Sequence, residues 1–155
     1  PPRLIEAFDI SHLSGTDTVA SMVVFKDGRP YKSGYRKYNI NVDKIDDFES
    51  MREVVFRRYR RQLDEGNPLP DLILIDGGKG QLSSAKLSLD KLKLDLPIVA
   101  LAKRLEELFI PEDSESLIIP KSSPALNLLK QLRDEAHRFA ITFQISKRTK
   151  RMLSK

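Results

Sequence analysis

Residues 72–76, Leu72-Ile73-Leu74-Ile75-Asp76, form an unbroken apolar run that stops on a carboxylate and is followed at once by Gly77-Gly78-Lys79-Gly80. A strand without polar alternation is buried on both faces, and such strands are usually parallel. A parallel strand needs a crossover connection, most often a helix. This run therefore commits the chain to an α/β arrangement with a covered sheet.

The flanking segments supply the other elements. Residues 4–11 and 18–25 read as strands, and Asp27-Gly28 after the second is a tight-hairpin signal, because both residue types tolerate positive φ. A third strand runs through Tyr31, Tyr35 and Tyr38 to Ile40. The period then changes: Phe48, Met51, Val55, Tyr59 and Leu63 recur at helical spacing, Asp46 and Glu49 resemble a capping box, and Gly66-Asn67-Pro68 ends the helix. The glycine turn after Asp76 opens a helix carrying Leu82, Ala85, Leu89 and Leu92, and 97–102 is another buried strand. Residues 104–120 read as a short hairpin with arms at 108–110 and 117–119, and Pro124 sits near the start of a long final helix. The order β-β-β-α-β-α-β, an excursion, then α, predicts a five-stranded mixed sheet in order 3-2-1-4-5 with helices on both faces. That is the arrangement of the ribonuclease H-like fold, here as a single domain over 1–155. Pro1-Pro2-Arg3 without a methionine leads to the expectation of a fragment of a longer protein.

Composition narrows the chemistry. The absence of cysteine excludes disulfides, thiolate zinc sites and cysteine nucleophiles, and fits a cytoplasmic protein. No apolar run approaches the ~20 residues that span a bilayer, so no membrane partner is expected. A net charge of +5 suits a polyanion such as nucleic acid.

In the expected topology the first and fourth strands are adjacent and parallel, and their carboxyl ends open onto the crevice where α/β sheets bind ligands. Asp9 lies near the end of the first and Asp76 is the last residue of the fourth. Two such carboxylates make a hard oxygen site suited to Mg²⁺ or Mn²⁺. Taken singly, each is equally good turn chemistry. On the final helix the apolar stripe is Ala125, Leu128, Leu129, Leu132, Ala136, Phe139 and Phe143. His137 falls roughly 130° from its centre, on the side of Lys130, Arg133 and Gln144, so it is not a core histidine. From this helix alone an ordinary exposed histidine is the simpler reading. His12, in the turn after the first strand, is a second candidate with an equally good backbone-positioning role.

Gly77-Gly78-Lys79-Gly80 lacks Walker A spacing, so Lys79 at the helix start is read as a contact to a nucleic-acid phosphate or as part of a plain turn. The first helix carries Arg52, Arg57, Arg58, Arg60 and Arg61, and the tail adds Lys147, Arg148, Lys150 and Arg151. With Lys130 and Arg133 these are candidates to neutralise phosphates, against the alternative of a solvated charged face. Asp47 is read first as an acidic residue complementing the helix dipole.

Several stretches are familiar as words. Phe8-Asp9-Ile10-Ser11-His12, Tyr38-Asn39-Ile40, Asp46-Asp47-Phe48, the block from Leu72 to Leu82, Ser123-Pro124-Ala125-Leu126 and Arg133-Asp134-Glu135-Ala136-His137 resemble UvrC, the excision-repair nuclease. The resemblance runs in order over nearly the whole chain. It implies a metal-dependent endonuclease domain that cuts the damaged DNA strand on the 5′ side of a lesion, with a UvrB partner delivering the lesion to the full-length protein. It places an Asp-Asp-His catalytic set on Asp9, Asp76 and His137, and a further important aspartate on Asp47. It also implies that the parts that make the 3′ cut, contact UvrB and form the helix-hairpin-helix module are to be expected in the full-length protein outside these 155 residues. Two other classes stay open: an Argonaute-type slicer, which would need guide-strand pockets, and a non-catalytic binding module, which loss of a site carboxylate would mark.

Overall fold

The computed structural model describes residues 2–12, 18–40, 46–103, 107–113 and 115–153, with side chains as far as Phe143. The basic tail residues Lys147, Arg148, Lys150 and Arg151, like Gln144, have side chains outside that description.

β1 (Leu4–His12) and β2 (Thr18–Lys26) pair antiparallel along their whole length. The turn after β2 places both Asp27 and Gly28 at positive φ, as the dipeptide requires. The expected third strand is broken in two, β3 (Arg29–Pro30) and β4 (Arg36–Ile40), both on β2, with a single 3₁₀ turn at Lys32–Gly34 between them. Pro30 has no N–H to continue a ladder. At Gly34 the backbone comes so close to Tyr31 and Val24 that a Cβ would crowd both.

α1 (Asp47–Glu65) begins where Asp46 accepts the N–H groups of Phe48 and Glu49 at 3.0 and 3.3 Å, and ends where Gly66 takes the left-handed conformation. Glu49 does not return the capping bond; it pairs with Arg52. β5 (Leu72–Asp76) is the buried run, parallel to β1 on one side and to β6 (Ile98–Leu101) on the other. α2 (Lys79–Lys91) connects them. β7 (Leu108–Phe109) adds antiparallel to β6, and the opposing arm of that excursion is reduced to a single bridge between Leu117 and Leu108. Spatially the sheet runs β3-β2-β1-β5-β6-β7 with β4 also on β2. Its body keeps the 3-2-1-4-5 order, as a ribonuclease H-like mixed sheet.

Side-chain alternation divides the core into two layers. Phe8, Met22, Ile73 and Ile75 face α1 and α2, meeting Met51, Val55, Tyr59, Leu82 and Leu89. Ile5, Ala7, Val23, Leu74 and Leu101 face the last helix, α3 (Pro124–Leu153), meeting Leu126, Leu129, Leu132 and Ala136. Both helical stripes shift in part. Phe48 and Leu63 of α1 are exposed while Val54 and Val55 fill the core, and in α3 it is Leu126, not Ala125, that is buried.

Candidate active site

The β1–β5 register pairs Ala7 with Leu74 and Phe8 with Ile75, so one further residue sets Asp9 beside Asp76 at the carboxyl ends of two parallel strands. Ala7 and Leu74 belong to the α3 layer, and two residues on, Asp9 and Asp76 return to that face. Asp9 is only 4% exposed. Among the described residues, neither Asp9 Oδ2 nor Asp76 Oδ2, both buried, has a hydrogen-bond partner. Burial, followed by the neighbouring charge of Asp76, pushes Asp9 up to about 7. Burial raises Asp76 as well, and Lys103, Arg133 and His137 act against that rise. Two like charges this close cannot both ionise without cost, so the pair behaves as one coupled acid that readily holds a shared proton.

α3 lies over this end of the sheet. His137 projects from it with its side chain 50% exposed, and its Nδ1 is 3.8 Å from Asp9 Oδ2. Among the described residues no three histidine, aspartate or glutamate side chains close into a ready cage for an ion. What the crevice offers is two buried carboxylate oxygens without a hydrogen-bond partner among the described residues, with an imidazole at the rim. A hard divalent cation fits that donor set, because it would satisfy both oxygens and remove their mutual repulsion.

Asp47 is not brought onto this pair. Its Oδ1 is 2.5 Å from His12 Nε2, and His12 Nδ1 is 3.2 Å from Thr18 Oγ1. The two candidates the sequence left separate thus form one bridge between the end of β1, the start of β2 and the start of α1.

The basic candidates divide. Arg58 is corrected: it is 9% exposed, and its guanidinium grips the buried Glu6 carboxylate through Nη2 at 2.9 Å and Nε at 3.3 Å, so it cannot meet a phosphate. Tyr59 completes that site by donating to Glu6 Oε1 at 2.8 Å. The adjacent Arg57 is exposed and donates to the Asn39 carbonyl, and Arg61 is exposed beside Glu65. Lys79 is exposed at the first residue of α2, where Gly78 provides no side-chain cap. Lys130 is half-buried, and Arg133 lies near Asp134 with its charge acting on Asp76.

The sequence reading missed two features. Lys103, in the turn after β6, acts electrostatically on both Asp9 and Asp76; its signal was a lysine just past a buried parallel strand. Glu6 is a charge in the middle of an apolar strand, which called for a buried partner from the start.

Comparisons with known proteins agree with the fold. The UvrC RNAse H endonuclease domain family matches residues 1–141. The chain is 56% identical, over 99% of its length, to the UvrABC system protein C of Christiangramia forsetii, covering 26% of that protein. It is also 56% identical, over 96% of its length, to the UvrABC system protein C of Methanospirillum hungatei, covering 29% of it. The chain thus spans about a quarter of the length of these relatives. Among solved structures, human ENDOV superposes with a TM-score of 0.50 at 17% identity, covering 67% of this chain and 47% of that one, a likeness of fold alone.

Proposed function

The chain belongs to the UvrC RNAse H endonuclease domain family, and from that premise we infer that it hydrolyses a DNA phosphodiester, with Mg²⁺ or Mn²⁺ held by Asp9 and Asp76, to make the incision 5′ of a lesion during nucleotide excision repair. The single observation that carries this reading is the pair of buried carboxylate oxygens, Asp9 Oδ2 and Asp76 Oδ2, at adjacent strand ends, neither with a hydrogen-bond partner among the described residues. A structural carboxylate buried this deeply would have partners, as Glu6 has.

A divalent cation bound there would supply Lewis acidity at the scissile phosphate. The residues of the chain do the rest. Asp9 and Asp76, once deprotonated, would hold such an ion. Water oxygen forms the new bond to phosphorus, the ester P–O bond breaks, and one proton leaves the water while one reaches the departing oxygen. His137 stands at the rim, half in solvent and near Asp9, in the position of a group that takes the water proton and passes it on, and imidazole titrates near neutral pH. Lys79, Arg57, Arg61, Lys130 and Arg133 steer the DNA backbone by charge. Asp47 acts by fixing His12. The UvrB partnership belongs to the full-length protein.

Mn²⁺ titration into the chain tests the carboxylate assignment. Wild type should bind, and Asp9→Asn and Asp76→Asn should lose binding while keeping native circular dichroism. Equal binding by all three would overturn it. For His137→Ala, the expected outcome is unchanged Mn²⁺ affinity and strongly reduced 5′ cutting with a lost limb of the pH profile. A loss of affinity rescued at high metal would make it a ligand instead.

A further inference from the structure

Three parallel strand ends meet at the crevice. Asp9 lies beside Asp76, and Asp76 is in register with Leu101 of β6. β6 ends at Leu101, in the α3 layer, and the chain turns at this same end of the sheet, where the second residue past the strand is charged. That residue is Lys103. It is exposed and free to reach toward a ligand at this end of the sheet. Its positive charge acts on Asp9 and Asp76 alike, and for Asp76 it is the largest influence opposing burial.

Two carboxylates that share a crevice, with no hydrogen-bond partner for either Oδ2 among the described residues, need positive charge. Before metal binds, a lysine beside them supplies it. Once a divalent cation takes both carboxylates, the ammonium is repelled by the ion and no longer needed by the oxygens. An anion bridging to that ion would then be its strongest partner, and a phosphodiester is the anion this site is read to admit. Lysine binds phosphate as a compact point charge on a mobile stem, which suits a group that must change partners.

Resting on the reading of Asp9 and Asp76 as a cation site, we propose that Lys103 is a further catalytic residue of this domain: it is the counter-charge of the carboxylate pair in the metal-free protein, and it binds the phosphate of the DNA strand when the cation is in place. Removing it therefore has opposite effects on the two ligands.

Calorimetric titration of Mn²⁺ at pH 8 and low salt, into wild type, Lys103→Ala and Lys103→Arg, tests the first half. The alanine variant should bind Mn²⁺ more tightly, by roughly tenfold for one like charge removed at the edge of water, and arginine should restore the wild-type affinity. Fluorescence anisotropy of a short DNA duplex at saturating Mn²⁺ tests the second. The alanine variant should flatten the log–log salt dependence of binding by about 0.9, and arginine should return the slope. An unchanged or weakened Mn²⁺ affinity in Lys103→Ala, or an unchanged salt slope, overturns the proposal while leaving the carboxylate site intact. Absence of Mn²⁺ binding by wild type would overturn the site reading and this inference with it.

Discussion

Glu6 and Asp9 lie on the same strand, and both are buried, at 2% and 4% exposure. Their surroundings are opposite. Glu6 points into the α1 layer, where Arg58 and Tyr59 occupy its two oxygens. Asp9 points into the α3 layer, where its Oδ2 accepts no hydrogen bond among the described residues and Asp76 is the neighbouring acid. Burial of a carboxylate is therefore not what marks a site of chemistry. A satisfied buried acid ties elements together, here β1 to α1. An unsatisfied pair is an electrostatic debt that only a proton, a lysine or a metal ion settles, and a fold retains such a pair where a ligand repays it.

The comparison breaks first at Asp9. In the full-length protein, Asp9→Asn should reduce 5′ incision beyond the 10²–10³-fold, roughly, that loss of a single transition-state hydrogen bond costs, because the ligand of an ion is removed. Glu6→Gln should reduce it only as far as folding suffers. A quantitative assay on a lesion-bearing duplex compares them, and similar losses would erase the distinction between the two acids.

Next comes Arg58. Arg58→Ala leaves Glu6 charged and buried without its ion partner, and should cost about 3–5 kcal/mol in urea unfolding. A Glu6→Leu, Arg58→Met double change should recover much of it. A single-variant cost below about 1 kcal/mol would mean that water reaches Glu6.

The third test is pH. Asp9 is raised in the folded state to about 7, against about 3.9 in an unfolded chain. Between those values the native state holds the extra proton, so this contribution to stability is full below about pH 4 and is lost as pH rises through 7. Unfolding of wild type without metal should weaken across that window. Asp9→Asn should lack the slope, and saturating Mn²⁺ should reverse it, since the ion binds the deprotonated pair. Parallel curves for wild type and Asp9→Asn would show that the proton is not held there.

The smallest effect separates adjacent arginines. Arg57 is exposed and Arg58 is locked on Glu6. Arg57→Ala should flatten the salt dependence of DNA binding by about 0.9 per lost phosphate contact. Under conditions where the variant remains folded, Arg58→Ala should leave that slope unchanged. The reverse result would place the DNA-facing side of α1 elsewhere.

Much of the architecture was legible in the chain because it rests on local rules. The apolar run at 72–76, the Asp27-Gly28 turn, Asp46 before α1, Gly66 after it and Pro124 at the start of α3 all act within a few residues, and the strand order followed from connection rules. The break between β3 and β4 was not legible, since it depends on Pro30 at a sheet edge and on how closely the Gly34 backbone approaches Val24. The candidate carboxylates could be named from the sequence because the ends of strands are readable. The partnership of Arg58 with Glu6, that of Asp47 with His12, and the reach of Lys103 to both aspartates were not. Each joins residues from different elements, and which face of a helix or strand meets which neighbour is set by packing of the whole core. Sequence determined which groups could carry charge into this fold; only the tertiary structure decided which of them are neutralised there, because electrostatic partnership depends on distance and burial that no local pattern encodes.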